Sequence, residues 1–160
     1  MPNVQHIFIS HASADDDFVK ELRIKLQLLG LKIWVDSRNL RGGDQLKPEI
    51  EAAIQQARQV IVVISPQTIN SDWVFDEIKL AEQVAKDNKE YRVIPLMLPG
   101  ITPKALKRYF TEEPVAEEIE LETAKLQEAI PRIMAALGER LPDDFQAAIE
   151  VKIHPVSELL

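Results

Sequence analysis

The chain has no cysteine in its 160 residues, which excludes a disulfide framework and thiolate zinc sites and fits a reducing compartment. Basic residues are outnumbered by acidic ones, 19 against 26, leaving a net charge of −7. That balance argues against sequence-independent nucleic-acid binding, which needs a basic footprint. No apolar run approaches the roughly 20 residues required to span a bilayer. Residues Met1 to His6 carry no basic segment followed by an apolar one, so the pattern of a signal peptide is missing. The three histidines, His6, His11 and His154, stand at no metal-ligand spacing, and no metal site is expected. Repeats and low-complexity tracts are absent too. These absences together lead to the expectation of a cytoplasmic protein with neither a membrane nor a nucleic-acid partner.

What is present is the pattern of one folded domain of ordinary hydrophobic content. His6 to Ser10 is a short apolar run stopped by polar residues, and reads as a buried strand. Asp15 to Leu29 reads as a helix, with Asp15, Asp16 and Asp17 complementing its N-terminal dipole and Gly30 just past its end. Ile24 and Leu28 fall off its core stripe as a pair one turn apart, where a partner could seat. Lys32 to Val35 is a second strand, and a glycine-bearing loop, Asp36 to Gln45, separates it from a helix over Leu46 to Ala57. Gln59 to Ser65 is almost continuously β-branched, as in strands buried on both faces of a parallel sheet. Tyr91 to Leu98 is a fourth strand, with Pro95 pointing to a position near an edge or bulge. A short helix within Thr102 to Phe110, a last strand within Pro114 to Leu121 and a last helix over Thr123 to Leu137 complete the series. Pro131 should kink or split that last helix. Strands alternating with helices predict an α/β fold: a doubly wound, flavodoxin-like sandwich around a mainly parallel five-stranded sheet.

The most informative stretch runs from Asn70 to Lys86. Asn70 or Ser71 is placed to cap a helix whose apolar face carries Trp73, Val74, Ile78, Leu80, Ala81, Val84 and Ala85. Glu77 lands in the middle of that face, one turn after Trp73. A carboxylate there must find a partner, reach a cavity or take up a proton. In doubly wound folds ligands bind beyond the carboxyl ends of the strands. Those ends carry Ser10 and His11, then Trp34 to Gly43, then Ser65 to Trp73, and Glu77 faces the same crevice.

Three of these stretches resemble the Toll/interleukin-1 receptor (TIR) domain, in order and in register, over roughly residues 5 to 137. His6 to Ser13 resembles its first box. Ile33 to Asp36 leading into Leu40 to Asp44 resembles its second strand and BB loop. Ser71 to Ile78 resembles the Ser-x-Trp-x-x-x-Glu signature of the enzymatic, bacterial-type members. The BB loop lacks the Pro-Gly of many animal adaptors, and no Phe-Trp third box is evident, which favours the enzymatic subgroup.

The resemblance implies an NAD+ glycohydrolase, or a cyclase, cleaving the nicotinamide–ribose bond to release nicotinamide and ADP-ribose or a cyclic variant. Glu77 would be the catalytic residue, and NAD+ is the substrate, with no cofactor. Trp73, Ser10, His11, Trp34, Asp36, Arg38 and Asn39 are the candidate substrate-binding residues. As neighbours at a strand end, Ser10 and His11 should diverge, so they do not form a nucleophile–base pair. The implied setting is defence or signalling, switched on by self-association with other TIR domains, as a homo-oligomer when active. The alternative is a non-enzymatic scaffold for TIR–TIR contact. A phospho-receiver would share the topology but needs an acidic pair and an aspartate where this chain has Ser10-His11 and Ser65-Pro66. The expected domain covers 1–138, and 139–160 reads as a C-terminal extension or linker.

Overall fold

The β-branched run forms the centre of the sheet because nothing in it tolerates water on either face. In the computed structural model, which describes residues 6–35, 48–68, 71–101, 104, 106–110, 119–120 and 126–141, this run is β3 (Gln59–Ile64). It pairs in parallel with β1 (Ile7–Ser10) on one side and β4 (Val93–Met97) on the other. β2 (Ile33–Val35) adds beyond β1, and β5 (Ile119–Glu120) beyond β4, giving the order β2-β1-β3-β4-β5 with every pair parallel. The helices between them are α1 (Asp16–Leu28), α2 (Pro48–Gln56), α3 (Asp72–Asp87), α4 (Leu106–Tyr109) and α5 (Leu126–Ala136). The doubly wound parallel sheet expected from the sequence is therefore the observed architecture.

Alternation along the strands divides the core in two. Ile7 and Ile9 of β1 and Ile61 and Val63 of β3 pack with Phe18, Val19, Leu22 and Leu26 of α1 and with α5. Phe8 of β1 and Val60, Val62 and Ile64 of β3 pack on the opposite face with α2 and α3. Full burial of each such side chain contributes roughly 1.5–3 kcal/mol, so the central strands carry much of the stability. One consequence of the alternation decides the site: Ser10, two residues after Phe8, is committed to the α3 face, and Ser65, two after Val63, to the α1 face.

Two prolines sit inside regular elements. Pro95 lies on β4, between β3 and the outer strand β5 and so near an edge, as expected. The amide of Leu98 donates to Ile64, so by alternation the amides of Ile94 and Leu96 also face β3, and the amide position of Pro95 faces β5. Among the described residues, β5 pairs with Leu96 and Met97. Pro131 does not split α5, which runs on from Leu126 to Ala136 with the proline exposed. Of the off-stripe pair on α1, Ile24 is 38% exposed and Leu28 half-buried.

α1 ends as expected at Gly30, whose φ is +93°. Its amide donates to Gln27 and that of Leu31 to Leu26, the double bond pattern of a Schellman cap. Gly138 closes α5 with the same pair of bonds, to Ala135 and, through Glu139, to Met134. The last described residue, Leu141, packs partly buried on the α1/α5 core, and the proposed extension beyond it, 142–160, lies outside the described residues. A Cβ at Gly30 would meet no atom within 4 Å, so the cost of Gly30→Ala is that of the left-handed backbone alone. We expect a loss of about 1 kcal/mol, read in urea as a lower unfolding midpoint with an unchanged slope.

Candidate active site

β1 and β3 are adjacent strands whose chains leave in opposite directions, β1 toward β2 and β3 toward β4. Such a reversal opens a crevice at the carboxyl ends, and the candidate site lies there. α3 starts at Asp72 with Ser71 at its N-cap in extended conformation. The cap position agrees with the sequence, but the Ser71 hydroxyl makes no capping bond. The Ser71 carbonyl instead accepts from Val74. One face of α3 buries Val74, Ile78 and Ala81 against the sheet, and Glu77 is buried in their midst at 2% exposure.

The buried acid meets a buried alcohol. The Ser10 hydroxyl donates to Glu77 Oε1 at 2.6 Å, across 67 residues of sequence. That distance lies within the ordinary range of an O–H···O hydrogen bond. The Arg92 guanidinium donates to the Ala136 carbonyl at the amino-terminal edge of the sheet, away from Glu77.

Trp73, one turn before Glu77, is half-buried against the α2/α3 core. Trp34 stacks on Phe8 with centroids 5.2 Å apart and planes 18° from parallel. Phe8 precedes Ser10 by two residues, so Trp34 sits about 7 Å below the Ser10–Glu77 contact on the same face. His11 points the other way, as alternation demands, and its Nε2 lies 2.6 Å from Asp16 Oδ1 at the start of α1. Ser10 and His11 thus diverge. Asp36, Arg38 and Asn39 lie outside the described residues. Among the described residues, no group of three or more His, Asp or Glu side chains could hold a metal ion.

The structure adds a pair that the sequence reading passed over. A 3-10 turn, Ser13–Asp15, leads into α1, and Asp15 is buried there at 9% exposure. The Ser65 hydroxyl donates to Asp15 Oδ2 at 2.6 Å. The two contacts cross: the serine ending β1 binds the acid on the helix after β3, and the serine just past β3 binds the acid before the helix that follows β1. With its two neighbours, Asp15 also complements the dipole of α1, which by itself accounts for an acid there. A closer signal was available, because Asp15 stands three and four residues before Phe18 and Val19, on the same buried stripe.

Burial pushes the Asp15 carboxyl above its ordinary value of 3.8, while the Ser65 bond and His11 pull it down and Asp16 pushes it up. Because the folded carboxyl keeps its proton to higher pH than the unfolded one, its contribution to stability is full below 3.8 and is lost as pH rises through the folded value. Asp15→Asn removes that loss while keeping an acceptor for Ser65. Its melting temperature relative to wild type should therefore rise from about pH 4 to about pH 7. A difference that is flat or falls would show that burial does not dominate at Asp15.

Comparison with known proteins places this geometry in a family. The family model described as TIR domain matches residues 7–117. A 2' cyclic ADP-D-ribose synthase of Bacteroides thetaiotaomicron is 33% identical over 118 residues, covering 73% of this chain and 40% of that protein. An NAD(+) hydrolase of a Theionarchaea archaeon is 36% identical over 104 residues, covering 64% of this chain and 31% of that protein. The chain thus spans less than half the length of either relative. Among solved structures, a metazoan TIR-STING receptor from C. gigas superposes with a TM-score of 0.57 at 25% identity, over 89% of this chain and 42% of that one. The TIR domain of a Toll-related receptor from Hydra magnipapillata gives 0.51 at 20% identity, over 82% of this chain and 94% of that one, a likeness of fold. With a family match running from the start of β1 to just before β5, this chain belongs to the TIR-domain family.

Proposed function

We propose that the protein cleaves NAD+ between nicotinamide and ribose, with Glu77 as the catalytic residue. The observation that carries the reading is a buried carboxylate, oriented by the Ser10 hydroxyl, at the strand reversal between β1 and β3. Nicotinamide leaves NAD+ as a neutral ring, so the departing group needs no proton. The bond electrons go with nicotinamide, and positive charge develops on the ribose, as in other glycosidic cleavages through oxocarbenium-like states. A fixed carboxylate stabilises that charge, and the apolar surround of Val74 and Ile78 strengthens its field. Capture of the cation by water gives ADP-ribose and a proton. Capture by a hydroxyl of the same molecule gives a cyclic product, again with loss of a proton. The relatives carry names of both kinds, synthase and hydrolase.

Trp73 is suited to wall the site one turn above Glu77, and Ser10 to hold the carboxylate. Trp34, packed on Phe8, would act from beneath. His11, turned toward α1, would reach substrate only from the opposite face of β1. Asp36, Arg38 and Asn39, which the TIR resemblance places around the BB loop, remain candidates for ribose or phosphate contact. Because Glu77 is so deeply buried, substrate must displace its cover. We assign that opening to self-association with other TIR domains, with Ile24 on α1 as an exposed apolar contact. The cysteine-free composition fits a cytoplasmic setting in defence or signalling, and no helix among the described residues is long and apolar enough to cross a membrane.

The test is nicotinamide release, followed by chromatography, from concentrated or surface-crowded protein supplied with NAD+. Glu77→Gln should lower kcat on the order of a thousandfold, and Ser10→Ala on the order of tenfold to a hundredfold. Release by Glu77→Gln at the wild-type rate would refute the assignment of Glu77. Absence of release from wild-type protein that self-associates would leave the scaffold reading instead.

A further inference from the structure

The crossed pair at Asp15 has a structural position that the cleavage chemistry does not by itself use. Ser65 opens the segment that carries the chain from β3 to α3. Its described residues are held by a relay of short bonds. The Ser65 amide donates to Thr68 Oγ1 at 2.9 Å, and the Thr68 amide returns to the Ser65 carbonyl at 3.0 Å. The Ser71 amide donates to the Thr68 carbonyl at 2.9 Å, and Val74, in the first turn of α3, to the Ser71 carbonyl. Glu77 follows one turn later. Ser65, Thr68, Ser71 and Glu77 are all buried, so each bond is protected from exchange with water.

The Ser65 hydroxyl is fully committed within this relay. It accepts from the Gln67 amide at 3.1 Å, and its only proton goes to Asp15. Asp15 is itself fixed, since its amide donates to the Ala12 carbonyl at 2.9 Å. The strand end of β1 and the turn after it therefore grip α3 at two places. Ser10 holds the carboxylate of Glu77 directly, and Asp15 holds the root of the segment from which α3 starts. The core packing of Val74, Ile78 and Ala81 fixes the body of α3, whereas the start of the helix depends on the segment rooted at Ser65, and a carboxylate displaced by about 1 Å loses much of its effect on a developing charge.

We propose that Asp15 is a positioning residue for Glu77, acting through Ser65 and the segment that leads into α3. This inference rests on the reading of Glu77 as the group that stabilises the ribose cation. Asp15 touches neither substrate nor reacting atoms. Its effect is on kcat, through the placement of Glu77, and not on the affinity for NAD+. The oxygen that accepts from Ser65 is what matters, so a carboxamide serves in its place.

The experiment compares wild type with Asp15→Ala, Ser65→Ala and Asp15→Asn, and has two readouts. Hydrogen exchange by mass spectrometry is followed over residues 65–80, over 12–19, and over β4 and α5. Nicotinamide release is measured at saturating and limiting NAD+ on crowded protein. Asp15→Ala and Ser65→Ala should each speed exchange over 65–80 roughly tenfold while β4 and α5 keep the wild-type rate. Both should lower kcat on the order of tenfold with KM changed by less than about threefold. Asp15→Asn should restore both quantities. Exchange that quickens only over 12–19, or equally everywhere, overturns the proposal, as does a carboxamide that rescues neither readout. Should Asp15→Ala not fold, Ser65→Ala, which removes a single hydroxyl, carries the same comparison. Exchange does not depend on turnover, so wild-type protein that releases no nicotinamide would sink the cleavage reading while the exchange result still decides the positioning role.

Discussion

A carboxylate enclosed by Val74, Ile78 and Ala81 is unstable unless something donates to it, and the 2.6 Å bond from Ser10 is therefore the contact around which the rest is arranged. For that bond to form, β1 and β3 must be neighbours, their carboxyl ends must coincide, and α3 must return on the face that Phe8 and Ser10 share. The parallel order of the sheet supplies the first two conditions, and the apolar stripe of α3 the third. Removing the serine would leave the acid short of a buried donor, a loss of about 1–3 kcal/mol.

The same geometry suits the chemistry of a cation formed on a sugar. A carboxylate in water is screened and mobile, whereas one locked in an apolar wall presents its charge in a fixed direction and at low local polarity. Glu77 is held from its own side chain by Ser10, and its helix is held at its root through Ser65 and Asp15. Enclosure also has a cost, because the substrate cannot approach without displacing part of the cover. Under the proposed cleavage of NAD+, opening on assembly would reconcile so enclosed a carboxylate with access for the substrate.

How much of this was legible in the residues depends on which physical rule each one obeys. Glu77 stood out because helical periodicity makes an acid among Val74, Ile78 and Ala81 an exception, and the exception was real. Ser10 was legible as a strand end, and alternation even separates it from His11. Its pairing with Glu77 was not legible, since only the strand order decides which helix returns over it. Asp15 escaped notice because a cluster of three aspartates at a helix start already has a sufficient electrostatic explanation. Its place on the stripe of Phe18 and Val19 carried the better one. Pro95 was legible as a sign of a place near an edge, and β4 lies one strand in from β5. Which strand lies beyond it is decided by the sheet order, which no local pattern encodes.

The most direct measurement is the structure of the Glu77→Gln protein with NAD+ bound, in the self-associated state. The account predicts the nicotinamide-bearing ribose against the carboxamide at position 77, with the Ser10 hydroxyl still directed at that group. A dinucleotide seated away from residue 77, or a ribose turned from it with the adenine in its place, would contradict the account.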